Sequence, residues 1–279
     1  MANHSSIEPL ALTAFYCCAL RAADAASARA VCGDDRAAAF LDDETLARLE
    51  PALGIRGPAA SNVARHRIID DIVRDALAKD RALRIIILGA GLDTRAFRLE
   101  GGQWWEFDDA ALFAFKEERL PARSAPNALT RTPVDFSRAE LHDYLAPLAG
   151  DDEALVVLEG VSMYLPSATL EKTAATVRAV LPRASIACDL MSPAFRERFA
   201  RALRRELGAL GAHFAPYTTH PRFAFEAAGY RAADIVSIVG RAREVGSLRI
   251  PGWLLNTLLR ELRDGYSVWT WVPAAQLID

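Results

Sequence analysis

The run Leu83-Arg84-Ile85-Ile86-Ile87-Leu88 stops at Gly89-Ala90-Gly91. A short apolar run, β-branched at its centre, is how a strand buried on both faces reads, and such strands belong to parallel sheets covered by helices. Comparable runs follow at 104–107, 129–134, 154–158 and 186–190, with helical patterns over 110–120, 138–148 and 167–181 between them. That alternation predicts right-handed crossovers and a doubly wound, mainly parallel α/β sheet. Beyond Pro193 the pattern changes to an Arg-rich amphipathic helix over 194–210, the end of another helix at 224–229 and a strand over 233–239. A helix over 253–263 and a last strand over 266–272 follow, an antiparallel, hairpin-like addition at the sheet edge.

With 279 residues, 52% of them hydrophobic, the chain can bury one large core with an appendage. Residues 8–50, rich in Ala, Leu, Arg and Asp, read as two or three helices separated near Cys32-Gly33-Asp34. A turn at 51–58 precedes a helix from Ser61, a candidate N-cap, to Lys79. The expected organisation is an N-terminal helical cap, 1–60, and a core, 61–279, with a helical insertion after strand five at 193–222 acting as a lid.

The 33 basic and 36 acidic residues are spread along the chain and leave a net charge of -3. No field favours nucleic acid or anionic lipid. No apolar run approaches the roughly 20 residues of a membrane span, and the start shows no basic stretch followed by an apolar one, so a cytoplasmic monomer or homodimer is expected. Cys17, Cys18, Cys32 and Cys188 lack metal or redox spacing, and His4, His66, His142, His213 and His220 form no short ligand motif. No protein-bound metal is expected.

In a doubly wound sheet the ligand sits beyond the carboxyl ends of the strands, where the first strand turns into a helix. Gly89 and Gly91 fall there. A dinucleotide fingerprint needs a third glycine where this chain has Thr94, and Asp93 puts a carboxylate where a pyrophosphate would approach. That carboxylate suits a ligand end carrying a cation, such as an amino acid's ammonium. Asp108, at the end of the second strand, is placed to accept from ribose hydroxyls and is preferred to Glu106, which alternates to the other side. Asp135 and Phe136 end the third strand, where a carboxylate and a ring can hold a purine.

Taken together, these segments resemble the leucine carboxyl methyltransferase-like family, which includes bacterial carboxyl methyltransferases of polyketide tailoring. The resemblance covers about 61–190. It rests on Arg65-His66-Arg67-Ile68-Ile69-Asp70-Asp71, on Gly89 to Leu99, on Trp105-Glu106-Phe107-Asp108 leading to Phe113-Ala114-Phe115-Lys116-Glu117-Glu118-Arg119-Leu120, and on Glu159-Gly160-Val161-Ser162-Met163-Tyr164-Leu165-Pro166. It departs from the family at Asp109, often a proline or polar residue there, and at His66, often Thr.

The resemblance implies a seven-stranded Rossmann-like class I methyltransferase sheet with S-adenosyl-L-methionine as cofactor. It implies that Arg65, or Arg67 two residues on, pairs with the cofactor's carboxylate. Gly89, with Ala90, Gly91 and Asp93, lies against the methionine part. Asp108, beside Asp109, binds ribose; Asp135 and Phe136 frame adenine; Glu159, followed by Gly160, holds the amino group or shapes the floor near sulfur. The expected function is O-methylation of a carboxylate or hydroxyl on a small-molecule metabolite of secondary metabolism. Other readings are an NAD(P)-dependent oxidoreductase, carboxyl methylation of a protein C-terminus, or a binding protein that keeps the cofactor pocket without turnover.

A sulfonium makes the transferred methyl electrophilic, so alignment and water exclusion are the main burden. A carboxylate acceptor, with a pKa of about 4, is already ionised and needs no base. A hydroxyl would need one, for which His142, His213 and His220 are candidates. Tyr164, His142 and Arg222 are the candidate catalytic residues, and Arg196, Arg198, Arg201, Arg204, Arg205 and Arg222 are candidates for an anion clamp, against the plainer reading of a solvated helix face. The acceptor site is expected under the N-terminal helices and 193–221.

Overall fold

A computed structural model describes residues 9–134, 140–209, 211–216 and 219–274. Its sheet has seven strands: β1 (Arg84–Leu88), β2 (Gln103–Asp108), β3 (Ala128–Pro133), β4 (Ala154–Leu158), β5 (Ser185–Met191), β6 (Tyr230–Ser237) and β7 (Tyr266–Pro273). Their order is β3-β2-β1-β4-β5-β7-β6. The first five pair in parallel, while β7 runs antiparallel to both β5 and β6. The closing strand therefore inserts between β5 and β6, and β6 becomes the edge.

Helices fill the connections and cover both faces. They are α1 (Pro9–Ala25), α2 (Asp43–Leu53), α3 (Arg56–Lys79), α4 (Arg95–Arg98), α5 (Ala110–Arg119), α6 (Leu141–Leu145), α7 (Ser167–Val180), α8 (Pro193–Arg198), α9 (Arg201–Ala209), α10 (Arg222–Ala227), α11 (Ile238–Glu244), α12 (Gly252–Asn256) and α13 (Arg260–Asp264). The alternation of β1 is visible in the packing. Ile85 and Ile87 join a core with α1, α3 and α11, and Ile86 and Leu88 join another with α7 and Phe225 of α10. Burial on both faces is why this strand carries no polar position after Arg84.

Several elements differ from the sequence reading: the strand read over 233–239 runs Tyr230–Ser237, and 238–239 open α11 because the Ser237 side chain caps that helix by accepting from Gly240 N. The helix expected from Ser61 begins at Arg56, because Pro58 lies in its first turn, where a missing backbone N–H costs no intrahelical bond. It thus runs through the 60/61 boundary between cap and core. The helix over 194–210 is broken between α8 and α9. Positions 195, 199, 203 and 207 would drift about 40° per step around one straight helix, and the break lets Phe195, Phe199, Leu203 and Leu207 line one cavity. The helix over 253–263 is split because the Leu254 carbonyl accepts the amides of Thr257 and Leu259, which ties off α12.

Candidate active site

The strand order reverses between β1, which leads outward to β2, and β4, which leads to β5. The crevice at the carboxyl ends of β1 and β4 is where such a sheet binds ligands. Gly89 leaves β1 with φ +71°, and a Cβ there would stand 2.6 Å from Val161 Cγ2. Only glycine lets the turn pass so close to the loop after β4. Across the crevice Gly160 has φ +70°, and its Cβ would meet Arg65 Nη2 at 3.1 Å.

A cavity of about 340 Å³ occupies this crevice, with Arg65, Gly89, Ala90, Gly91, Asp93, Asp108, Asp109, Glu159 and Gly160 among its lining residues. Asp108 accepts from Gly91 N at 2.6 Å and from Asp109 N at 2.7 Å. Burial pushes its carboxyl up, against the opposing pull of those two amides. Asp109 caps α5, accepting from Ala111 N and Leu112 N. Glu106 is fully buried and held by Lys116 at 2.7 Å and Arg131 at 2.9 Å, so Asp108 is the carboxylate that β2 delivers to the cavity.

Behind the cavity lies a buried ionic network. Arg95 joins Asp70 at 2.6 Å, Glu159 at 2.6 Å and Asp93. Arg98 contacts Asp70 at 2.9 Å and Asp34 at 3.2 Å, and Arg21 reaches Asp34 at 2.8 Å. Arg65 donates from Nε to Glu159 at 3.1 Å and from Nη1 to Asp189 at 3.2 Å and Tyr266 Oη at 2.8 Å. Among the described residues its Nη2 has only Cys17 Sγ, at 3.6 Å.

His66 sits inside this network, and burial, reinforced by Arg95, pushes its pKa down, so the ring is neutral. Nδ1 faces Glu159 Oε2 at 3.1 Å and Nε2 faces Arg98 Nη2 at 2.9 Å. Nδ1 also faces Arg95 Nη2 at 2.8 Å; a guanidinium can only donate, so Nε2 accepts from Arg98, while Nδ1 lies between a donor and a carboxylate. Burial pushes the Glu159 carboxyl up, but Arg95, His66 and Arg65 outweigh it and hold it well below the usual carboxylate range.

A second cavity, of about 330 Å³, adjoins the first, and Thr13, Cys17, Arg65, Gly160 and Tyr164 line both. Its other walls are largely apolar, including Met163, Met191, Phe199, Leu207 and Phe214. Residues of α1 and residues between 195 and 214 line it, and Val239, Leu248, Ile250 and Leu262 also contribute.

The sequence candidates divide accordingly. Arg65 lines both cavities, whereas Arg67 lines neither and pairs with Asp71 at 2.7 Å. Asp93 has one oxygen on Arg95 N at 2.7 Å and the other on the Arg95 guanidinium. The cation that the sequence argument gave to a ligand is there in part a residue of the chain. Asp135 and Phe136 lie outside the described residues. Tyr164 stands at the junction of the cavities. His142, with 63% of its side chain exposed beside Asp143, lines neither cavity, and neither do His213, His220 or Arg222, which faces Glu226.

The arginines proposed as an anion clamp also face elsewhere. Arg196 donates to the carbonyls of Ala215 and Phe214. Arg198 lies near Glu261, Arg204 pairs with Glu197 and Arg205 with Glu206, while Arg201 donates to the Glu197 carbonyl. Sequence reasoning missed Asp34, Asp70, Arg95, Arg98, Asp189 and Tyr266. Arg95 and Arg98 stood inside the glycine-loop segment; Tyr266, 201 residues from Arg65, gave no local signal.

The family model for leucine carboxyl methyltransferase matches residues 14–178, more than half of the chain. The chain belongs to the leucine carboxyl methyltransferase family. Relatives include a "Putative S-adenosyl-L-methionine-dependent methyltransferase" of Streptomyces avermitilis, 34% identical over 43% of this chain and 44% of its own. Proteins with the same description from Streptomyces coelicolor and Mycobacterium tuberculosis are 30% and 31% identical, over 52% and 53% of this chain and 52% and 51% of theirs. The chain thus spans about half the length of the curated relatives it matches.

Two crystal structures share the fold. A DUF574 family protein from Streptomyces avermitilis has a TM-score of 0.56 at 12% identity, covering 94% of this chain and 97% of that one. A putative methyltransferase from Thermobifida fusca has 0.54 at 13%, covering 85% and 92%. The family match contains every residue lining the first cavity except Thr13, whereas the second takes much of its wall from beyond residue 178. Among the described residues no helix is long and apolar enough to cross a membrane, and no group of three or more His, Cys, Asp or Glu could hold a metal ion.

Proposed function

We propose that this protein is an S-adenosyl-L-methionine-dependent O-methyltransferase acting on a carboxylate, or else a hydroxyl, of a small apolar metabolite. The observation that carries this reading is the pair of adjoining cavities, one ringed by charged groups inside the family match and one apolar, with five shared lining residues. The relatives' names, which carry the cofactor and the activity, support the first half of it.

The charged cavity fits the cofactor. Arg21, Arg65, Arg95 and Arg98 face Asp34, Asp70, Asp93, Glu159 and Asp189 around a neutral His66, and Arg74 reaches Asp70 from the rim at 3.5 Å, so the charged groups of the network balance. The methionine ammonium is assigned to the side of Glu159, which lines the cavity. Arg65 Nη2 has room to bind the cofactor's carboxylate, a charge-assisted contact. Asp108 is assigned to the ribose hydroxyls, with Asp109 beside it, and the turn from Gly89 to Gly91 to the methionine part; Asp135 and Phe136 are kept as the adenine frame.

When bound, S-adenosyl-L-methionine supplies an electrophilic methyl on a sulfonium. The chain's residues bind, orient and exclude water. Tyr164, which burial holds protonated at neutral pH, lies at the junction where the acceptor atom must enter. A carboxylate acceptor arrives ionised, so no residue need remove a proton. Residues 1–60 and 193–222 are read as the cap and lid over the acceptor.

Thermal melting tests the cofactor assignment. S-adenosyl-L-methionine or S-adenosylhomocysteine at 100 times its dissociation constant should stabilise the protein by about 2.7 kcal/mol. Stabilisation by NAD alone would overturn the reading in favour of an oxidoreductase.

A further inference from the structure

Two buried oxygens on residues lining the apolar cavity have no hydrogen-bond partner among the described residues. Tyr16 is 2% exposed and Asn62 7%, both line that cavity, and neither Tyr16 Oη nor Asn62 Oδ1 makes a hydrogen bond among the described residues. Buried polar atoms are nearly always paired, since desolvation without a partner is costly. Here both unpaired atoms belong to residues that line one chamber, on the helices α1 and α3.

Their chemistry is complementary. Asn62 Nδ2 donates to Cys17 Sγ at 3.1 Å, and the same sulfur faces Arg65 Nη2 at 3.6 Å. A guanidinium has no acceptor, so the sulfur accepts from Arg65, and with the Asn62 amide placed as it is, its oxygen is left over. Burial pushes the Tyr16 phenol far above neutral pH, so it stays a donor. In the chamber's largely apolar walls, which also carry Thr13, Ser61, Arg65, Tyr164 and Tyr266, Tyr16 is left with a free donor and Asn62 with a free acceptor among the described residues.

We propose that Tyr16 and Asn62 are specificity-determining residues that read a neutral hydroxyl or amide N–H on an otherwise apolar methyl acceptor. Such a group has both an acceptor for the phenol and a donor for the Asn62 carbonyl oxygen. Sites built to bond a polar group reject analogues lacking it far better than apolar pockets reject extra groups. The inference rests on the second cavity being the acceptor chamber.

Isothermal titration calorimetry on the full chain saturated with S-adenosylhomocysteine provides the test. The probes are decanoate against its monohydroxy derivatives, and 3-phenylpropanoate against N-acetylphenylalanine. At least one substituted member should bind tenfold or more tighter than its parent. Tyr16→Phe and Asn62→Leu should each cut that ratio below threefold and leave S-adenosylhomocysteine affinity unchanged. A wild-type protein that prefers no substituted member, or variants that keep the preference, would overturn the proposal.

The ligand-free Tyr16→Phe variant gives an independent check. Removing an unpaired hydroxyl should leave Tm unchanged or raise it; a fall of more than about 3 °C would show that the hydroxyl has a structural partner and would overturn its role. A protein that binds S-adenosylhomocysteine without a hydroxyl or amide preference refutes this pair alone. One that shows the preference yet binds no S-adenosylhomocysteine refutes only the cofactor reading.

Discussion

Arg65 Nη1 and Asp189 Oδ2 lie 3.2 Å apart although 124 residues separate them in the chain. Tyr266 donates to the same Oδ2 at 2.7 Å, and Gly160 N donates to Oδ1 at 2.6 Å. One buried carboxylate at the end of β5 thereby fixes α3, β7 and the loop after β4, on which the wall between the cavities is built. Asp189→Ala removes the charge and leaves its donors buried. It is expected to destabilise the fold by about 3–5 kcal/mol, read by urea denaturation; a loss below about 1 kcal/mol would show that Glu159 alone suffices to hold Arg65.

Asp108→Ala should weaken S-adenosyl-L-methionine binding about 10- to 100-fold, the worth of one or two hydrogen bonds to a charged acceptor. Calorimetry reads the change directly. Unchanged affinity would remove Asp108 from the ribose assignment.

The buried network predicts an acid arm in two stages. His66 is depressed below its ordinary 6.5, so below that pH the unfolded chain takes up a proton that the folded ring refuses, and stability falls. The slope is about 1.4 kcal/mol per pH unit for one proton. For Asp34, burial pushes the carboxyl up, but Arg21 and Arg98 outweigh it and hold it at about 2. Its contribution is complete above the ordinary 3.8 and is lost as pH falls toward about 2. Denaturant midpoints between pH 8 and 3 should show both stages, and His66→Gln should erase the first. A midpoint flat down to pH 4.5 in the wild type would contradict the neutral buried ring.

Rate profiles separate the two acceptor chemistries. With a carboxylate acceptor, kcat/KM should be level from about pH 6 to 9, since an acid of pKa about 4 is ionised throughout. A rate climbing tenfold per pH unit across that range would mark a hydroxyl acceptor that must first lose its proton.

The local segments were legible in the sequence for a local reason. A strand buried on two faces must be apolar and β-branched, a sharp turn at its end must be glycine, and a carboxylate at a strand end is placed by the strand itself. Gly89, Asp108, Glu159 and Gly160 therefore reached one crevice as read, and Arg65 came with the helix before β1. The sequence by itself thus determined the parallel strands of the sheet, the crevice and several of the residues that line it. Only the tertiary structure decided which buried charges meet and where the second cavity lies. Arg65, Asp189 and Tyr266 sit on elements far apart in the chain, and the cavity walls come from α1, α3, the broken α8–α9 pair and residues 239–262. Ionic pairing in a buried site and the closure of a cavity depend on through-space packing, which leaves no periodicity along the chain. The oxygens of Tyr16 and Asn62 illustrate this: each sits on an ordinary helix, and only burial without a partner sets them apart.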